Sequence, residues 1–276
     1  MTAPTIGFIG LGAIGMPMAL NLLRDGYDVT AYDVSADPMR VLAAAGGHAV
    51  TSVREVGARA SMVEVMVFDD AQVESVISGD DGLLGTMAPG GAIAIHSTIR
   101  PATLRRIADV ARNCGINVGI LDAPLSGTPR GAADRTLSFM VGGDDATVER
   151  FRPILTVSGS RIFHFGVLGA GLIAKLAHQV ILALNFLGAA EGFGLAGRAG
   201  LDLSMLQAAI HDSRAQSLIA DEWADLKPGS HGALIFVKDL TIALEIADEF
   251  GLSLPAVTMA RDLIPVLMGA VIGPVA

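Results

Sequence analysis

Gly7-Phe8-Ile9-Gly10-Leu11-Gly12-Ala13-Ile14-Gly15, followed by Met16-Pro17-Met18-Ala19-Leu20-Asn21-Leu22-Leu23, decides the architecture of this chain. Residues 6–9 form a short apolar run that reads as a buried strand, and residues 13–25 carry apolar side chains at helical spacing. Gly10, Gly12 and Gly15 therefore fall at a strand-to-helix turn. In such a turn the first glycine allows a tight bend, the second lets a pyrophosphate approach the backbone, and the third lets helix and strand pack closely. The phosphate charge then rests on the helix N-terminus, where unpaired N–H groups point outward. Asp33 lies 18 residues beyond Gly15, at the end of the next β-like run. A plain glycine-rich turn explains the glycines but not this setting, so the stretch predicts a dinucleotide site. Gly10, Leu11, Gly12, Ala13, Ile14, Gly15 and Met16 are its expected contacts, with Asp33 at the ribose.

Asp33 also bears on which dinucleotide is bound. A carboxylate there can accept hydrogen bonds from both ribose hydroxyls, whereas a 2′-phosphate would meet its charge at close range. After Asp33 come Val34-Ser35-Ala36-Asp37-Pro38, with no basic residue until Arg40, so NAD is expected and NADP disfavoured.

Outward from the loop, residues 1–165 alternate β-like runs with helical patterns, the signature of a doubly wound sheet. Strands are predicted at 5–9, 28–32, 61–68, 91–96, 117–122 and 136–141, with helices at 38–45, 72–77 and 101–114. Pro101 follows Ser97 and Thr98, as a helix start favours. After Gly166 the texture changes. Residues 167–199 read as one long, mostly apolar helix, helical patterns continue at 203–210, 219–226 and 236–250, and no strand is expected. The predicted fold is α/β: an N-terminal Rossmann-type doubly wound sheet over 1–165, then an all-helical C-terminal domain over 166–276 that opens with a long interdomain helix. A helix apolar on nearly every face is normally buried between domains or subunits. A homodimer or homotetramer assembled through the helical domain is therefore expected.

Composition excludes several classes. Half of the 276 residues are hydrophobic (51%) and the mean hydropathy is +0.54, so a membrane has to be considered. The first 23 residues carry no charged side chain, yet glycines and Pro17 interrupt them and no basic segment precedes them. The apolar run 176–190, bounded by Lys175 and Glu191, is too short to span. A soluble, cytoplasmic protein with no membrane partner is expected. The single Cys114 rules out an internal disulfide and reads as a small buried hydrophobe. A net charge of −9 with only 19 basic residues argues against nucleic acid, and six scattered histidines without ligand spacing argue against a metal. The closing run Gly273-Pro274-Val275-Ala276 has no polar residue, so it is either buried or the natural chain continues.

Four further clusters carry chemistry. They are Asp122-Ala123-Pro124-Leu125-Ser126-Gly127-Thr128-Pro129-Arg130-Gly131-Ala132, closing at Thr136 to Gly143; Gly166 to Gly171 leading to Lys175, His178 and Gln179; Lys238-Asp239-Leu240-Thr241-Ile242-Ala243; and His96-Ser97-Thr98. Lys175 lies one turn from His178 and Gln179 on an otherwise apolar helix. An ammonium there must be paired, wet or functional. From the helix alone it reads first as an interface lysine that snorkels to water.

With these motifs in order from residue 5 to about residue 262, the chain resembles the β-hydroxyacid dehydrogenase family, which includes 3-hydroxyisobutyrate dehydrogenases and tartronate semialdehyde reductases. The resemblance implies reversible oxidation of the hydroxyl of a small 3-hydroxy acid, with Lys175 as general acid and base. It implies a carboxylate-binding turn at Ser126, Gly127 and Thr128, with Gln179, His178 and Lys238 as further substrate contacts. Val67, Phe68, Thr98 and Lys238 join the cofactor contacts, Thr98 beside the nicotinamide. The chain departs from the family pattern at Thr128, where a second glycine is usual, at His178-Gln179, where two asparagines are usual, and at His96, where an acidic residue is frequent. Arg130 reads as a solvated surface residue and His178 as a satisfied structural histidine. Two other readings use the same scaffold: an NADPH-dependent reductase of a semialdehyde or imine, and a catalytically silent dinucleotide-binding protein. Lys175 argues against the imine branch, which commonly lacks it.

Overall fold

The computed structural model describes residues 4–113, 115–226 and 230–269. Cys114 and the closing run Gly273-Pro274-Val275-Ala276 lie outside the described residues. The chain divides into two compact units, Met1–Lys175 and Leu176–Ala276, the division falling within the helix Ala170–Arg198.

In the first unit six strands, β1 (Ile6–Ile9), β2 (Val29–Tyr32), β3 (His48–Ala49), β4 (Met62–Val65), β5 (Ala92–Ile95) and β6 (Gly119–Asp122), form a parallel sheet in the order β3-β2-β1-β4-β5-β6. The chain winds outward from β1 to β3, returns across the sheet, and winds outward again from β4 to β6. Register aligns Ile9 with both Tyr32 and Val65, Val65 with Ile95, and Ile95 with Asp122. The carboxyl ends of five strands therefore finish along one edge, and the switch point between β1 and β4 opens the crevice in which such sheets bind ligands.

Burial on both faces explains the near-continuous apolar runs of these strands. On one face Phe8, Ala31, Met62, Ala94 and Leu121 pack with Met18 and Leu22 of the helix Gly15–Arg24 and with Val148 and Phe151 of the helix Asp145–Ser158. On the other, Val63, Val65, Ile93 and Ile95 pack with Val56, Val73, Ile77, Leu104 and Ile107. Those five belong to the helices Val53–Arg59, Asp70–Ser78 and Pro101–Asn113.

The run predicted at 136–141 is a strand, but of a second sheet. Here β7 (Leu125–Ser126) pairs antiparallel with β8 (Ser138–Val141), which pairs parallel with β9 (Arg161–His164). The helix Asp145–Ser158 and β9 were not legible in the sequence pattern. Pro153 inside that helix mimics a break, and the four residues of β9, partly exposed, bury no continuous apolar run.

The described residues of the second unit contain helices and no strand: the remainder of Ala170–Arg198, then Leu203–His211, Leu218–Asp221, Ser230–Glu249 and Pro255–Leu267. Ala183, Phe186 and Leu187 pack with Leu240, Val257, Ala260 and Ile264, and Trp223 stacks on Phe193 at 5.3 Å. The helix Ala170–Arg198 has 29 residues and a window of mean hydropathy 1.6, so length and composition alone would let it cross a bilayer. It outruns the charge-bounded segment 176–190 because Lys175 and Glu191 sit within the helix instead of ending it.

Candidate active site

The three glycines of the opening loop meet different constraints. Gly10 has φ +94°, and a Cβ there would stand 2.1 Å from the Met66 carbonyl oxygen at the end of β4. A Cβ on Gly15 would stand 2.1 Å from the Gly10 carbonyl oxygen, so the helix can start against the loop only without a side chain. At Gly12 a Cβ would meet no atom within 4 Å, which leaves the backbone open to an approaching phosphate. Leu11 N–H donates to Asp33 Oδ2 at 2.7 Å and Ser35 N–H donates to Oδ1 at 2.7 Å, which fixes the carboxylate beside the loop. Ala13 is exposed, while Ile14 and Met16 pack partly against the core. A bend, an open backbone, a close helix start and an oriented carboxylate together fit a dinucleotide.

Across the switch point, the Ser97 hydroxyl donates to the Val67 carbonyl at 2.7 Å and accepts from Val67 N–H at 3.1 Å. This ties the segment after β4 to the segment after β5, bringing Val67 and Phe68 to the same edge as Thr98. Phe68 N–H donates to Gln72 Oε1 at 2.9 Å. Arg100 binds Asp70 through both its backbone N–H (2.9 Å) and its guanidinium (3.0 Å). Burial opposes the Asp70 charge, but the Thr103 hydroxyl and Arg100 hold its carboxyl below the usual range.

In the substrate loop, Ser126 lies in β7 opposite Ser138. Gly127 has φ +144°, and the hydroxyl of Thr128 accepts from Gly131 N–H at 3.1 Å, capping the short helix Pro129–Ala133. The group that replaces a second glycine thus serves as a helix cap. Arg130 is exposed and pairs with Asp134 at 3.3 Å. Asn21 Nδ2 donates to the Ala132 carbonyl at 2.8 Å, and Arg135 pairs with Asp25 at 2.7 Å, so the loop is pinned to the helix that opens the dinucleotide site.

Asp122, fully buried at the end of β6, joins the first two of the sequence clusters. Its Oδ1 accepts from Gly169 N–H and its Oδ2 from Leu172 N–H, each at 2.7 Å, at the N-terminus of the helix that carries Lys175. Its backbone exchanges two hydrogen bonds with Gly142. A Cβ on Gly142 would approach Oδ1 to 2.6 Å, and one on Gly171 would approach Oδ2 to 2.8 Å. Burial pushes the carboxyl up to about 6, against the pull of the Gly169 and Leu172 N–H groups. Between the ordinary 3.8 and about 6 the folded chain holds a proton that the unfolded chain has released, so this group's contribution to stability declines as pH rises through that window and is constant above it. Relative to Asp122→Asn, the wild-type urea midpoint should fall from about pH 4 to about pH 7, by the equivalent of ~3 kcal/mol. A difference independent of pH would contradict this.

Lys175 is buried on the face of its helix shared with Leu172, Leu176 and Gln179. In the helical unit, Gln179 Nε2 donates to Asp239 Oδ2 at 2.7 Å and Gln179 Oε1 lies 3.2 Å from His178 Nδ1. Lys238 Nζ donates to the buried Asp239 Oδ1 at 2.7 Å. His178, Gln179 and Lys238 are thus brought together around Asp239. A groove of about 1280 Å³ lined by Gly90, Arg112, Asn117, Gly119 and Arg150 lies at the amino ends of β5 and β6, so it is not the dinucleotide crevice.

A family profile described as the NAD binding domain of 6-phosphogluconate dehydrogenase matches residues 5–166, and one described as NAD-binding of NADP-dependent 3-hydroxyisobutyrate dehydrogenase matches residues 169–271. The chain is 36% identical to an NAD-dependent L-serine dehydrogenase of Pseudomonas aeruginosa over 95% of its own length and 92% of the relative's. It is 36% identical to a 2-hydroxy-3-oxopropionate reductase of Escherichia coli over 94% and 89% of the two chains. A solved 3-hydroxyisobutyrate dehydrogenase of Mycobacterium tuberculosis with L-serine superposes at TM-score 0.86 with 31% identity, covering 97% of this chain and 94% of that one. The chain belongs to the β-hydroxyacid dehydrogenase family.

Membership makes it an NAD(P)-dependent oxidoreductase acting on CH–OH groups, built as a Rossmann domain followed by helices. Two residues that shape this dehydrogenase, Asp122 and Glu64, act through partners distant in sequence. Asp122 opens a local motif, but its role as a cap depends on contacts 47 and 50 residues away. Glu64 carries its own sequence signal, one carboxylate in the apolar strand Met62-Val63-Glu64-Val65.

Proposed function

We propose that this dehydrogenase uses NAD to oxidise, reversibly, the hydroxyl of a small 3-hydroxy acid, with Lys175 exchanging the hydroxyl proton. The observation that carries the reading is the bond between Asp122 and the first turn of the helix Ala170–Arg198. Asp122 stands four residues before Ser126, and the turn it holds precedes Lys175, so one buried carboxylate links the substrate turn to the lysine helix. The Ser126 hydroxyl and neighbouring backbone N–H groups are suited to a carboxylate. Lys175, drawn out of bulk water, is suited to take a proton from the alcohol or return it. NAD, when bound, supplies the hydride acceptor. Exposed apolar side chains on the same helix, Ile181 and Leu195 among them, support self-association through the helical unit.

The test of substrate is the rate of NADH formation with 3-hydroxyisobutyrate, serine, glycerate, threonate and 4-hydroxybutyrate. Relatives named for L-serine and 2-hydroxy-3-oxopropionate make serine and glycerate the first to try. Turnover of a 3-hydroxy acid supports the reading, and failure of all of them would sink it.

The preference for NAD rests on the Asp33 carboxylate, which Leu11 and Ser35 hold in place. NAD should bind at least about tenfold more tightly than NADP in calorimetric titration, and Asp33→Ala should bring the two within about threefold. Tighter binding of NADP by the wild type would overturn the assignment.

A further inference from the structure

Beneath the Ser97-Thr98 turn lies a buried ionisable pair that the proposed reaction does not use. His96 follows β5 and Glu64 lies within β4, and they are 2% and 1% exposed. His96 Nδ1 is 2.8 Å from the Ala123 carbonyl oxygen and Nε2 is 3.2 Å from Glu64 Oε1. The ring also stands against Phe139 of β8, with centroids 5.7 Å apart. A carbonyl only accepts, so Nδ1 carries a hydrogen, and one further hydrogen lies between Nε2 and the carboxylate. The surroundings are apolar: Met62, Ala94, Leu121 and Ala123 belong to the core on this face. Apolar side chains of similar volume would fill the space without the desolvation that this pair carries. Its distinguishing property is direction, because it connects β4, the segment after β5 and the segment after β6 through hydrogen bonds of fixed geometry.

That placement has a meaning in the crevice. In this strand order the dinucleotide crosses between β1 and β4, with its adenosine half on the β1–β2 side by Asp33 and its nicotinamide half on the side of β4, β5 and β6. We propose that Glu64 and His96 are positioning residues that hold the Thr98 turn at a set distance from Ala123, where the substrate loop begins, and so shape the nicotinamide half of the site. This rests on the dinucleotide reading of the crevice and not on which hydroxy acid is oxidised.

The test compares NADH with ADP-ribose, which lacks the nicotinamide, by calorimetric titration. In the double variant Glu64→Leu with His96→Leu, the affinity for NADH should fall about tenfold while that for ADP-ribose stays within about twofold. In Glu64→Gln the amide N–H can still donate to Nε2, and both affinities should stay near wild type. Retention of the wild-type circular dichroism and cooperative unfolding by the double variant separates positioning from loss of fold. Should that variant not fold, Glu64→Ala measured the same way replaces it. Equal loss of both ligands, or no loss of either, would overturn the proposal. If NADP proves to be the cofactor, NADPH and 2′-phospho-ADP-ribose take the place of the two ligands. Failure of every 3-hydroxy acid as substrate would remove the proposed reaction and leave these binding outcomes readable.

Discussion

Replacing Lys175 with Met should lower kcat for oxidation of a 3-hydroxy acid by about 100- to 10,000-fold and leave the NAD dissociation constant within about twofold. The magnitude is that of removing a positioned proton acceptor, since Met matches the length of the lysine stem and keeps its apolar packing while deleting the ammonium. Lys175 is buried on the same helical face as Leu172 and Leu176, so the substitution exchanges one buried stem for another and the helix should persist. The cofactor constant should hold because the glycine loop and Asp33 lie on other elements. Stopped-flow and steady-state rates with the best substrate make the comparison. A variant within about threefold of wild-type kcat would show that another group carries the proton.

Gly10→Ala is expected to remove cofactor binding and much of the stability of the first unit. The backbone there is left-handed, with φ +94°, which costs an L-residue about 1–2 kcal/mol. The new methyl would also stand 2.1 Å from the Met66 carbonyl oxygen, and that oxygen belongs to backbone that cannot rotate away. Relief requires the ends of β1 and β4 to separate at the switch point. The expected loss is at least ~3 kcal/mol in urea unfolding, with NAD affinity reduced more than about 100-fold. Gly12→Ala is the control, because a Cβ at that position meets no protein atom within 4 Å. It should cost little stability and weaken NAD through the methyl group in the phosphate path. Equal stability losses in the two variants would contradict the division of roles between these glycines.

The glycine loop was legible because its function is local. Gly15 starts its helix against the Gly10 carbonyl a few residues back, which sequence spacing encodes directly, whereas the Met66 carbonyl that also crowds Gly10 comes from a distant strand end. The parallel strands were legible for a related reason, since burial on both faces leaves runs such as Ala92–Ile95 that only a central strand explains. Their ends were read too long. The predicted strand 61–68 stops at Val65 because Val67 and Phe68 leave the sheet to bond with Ser97 and Gln72.

What the sequence could not convey depends on pairing across long separations. Gln179 donates to Asp239, a partner 60 residues away that no local pattern indicates. Asp122 and the glycines around it are spread over 50 residues, and Glu64 with His96 over 32, with nothing in the local pattern to join them. A charged residue in an apolar strand is the one cue that could have prompted a search for a partner.

The most direct test of the central claim follows the hydrogen itself. The best 3-hydroxy acid from the substrate series is prepared with deuterium on C3 and incubated with the protein and NAD, and the reduced dinucleotide is examined by mass spectrometry. One deuterium is expected in the reduced NAD for each carbonyl product formed, with the transfer lost in Lys175→Met. Reduced NAD without deuterium, or transfer that occurs only to NADP, would contradict it.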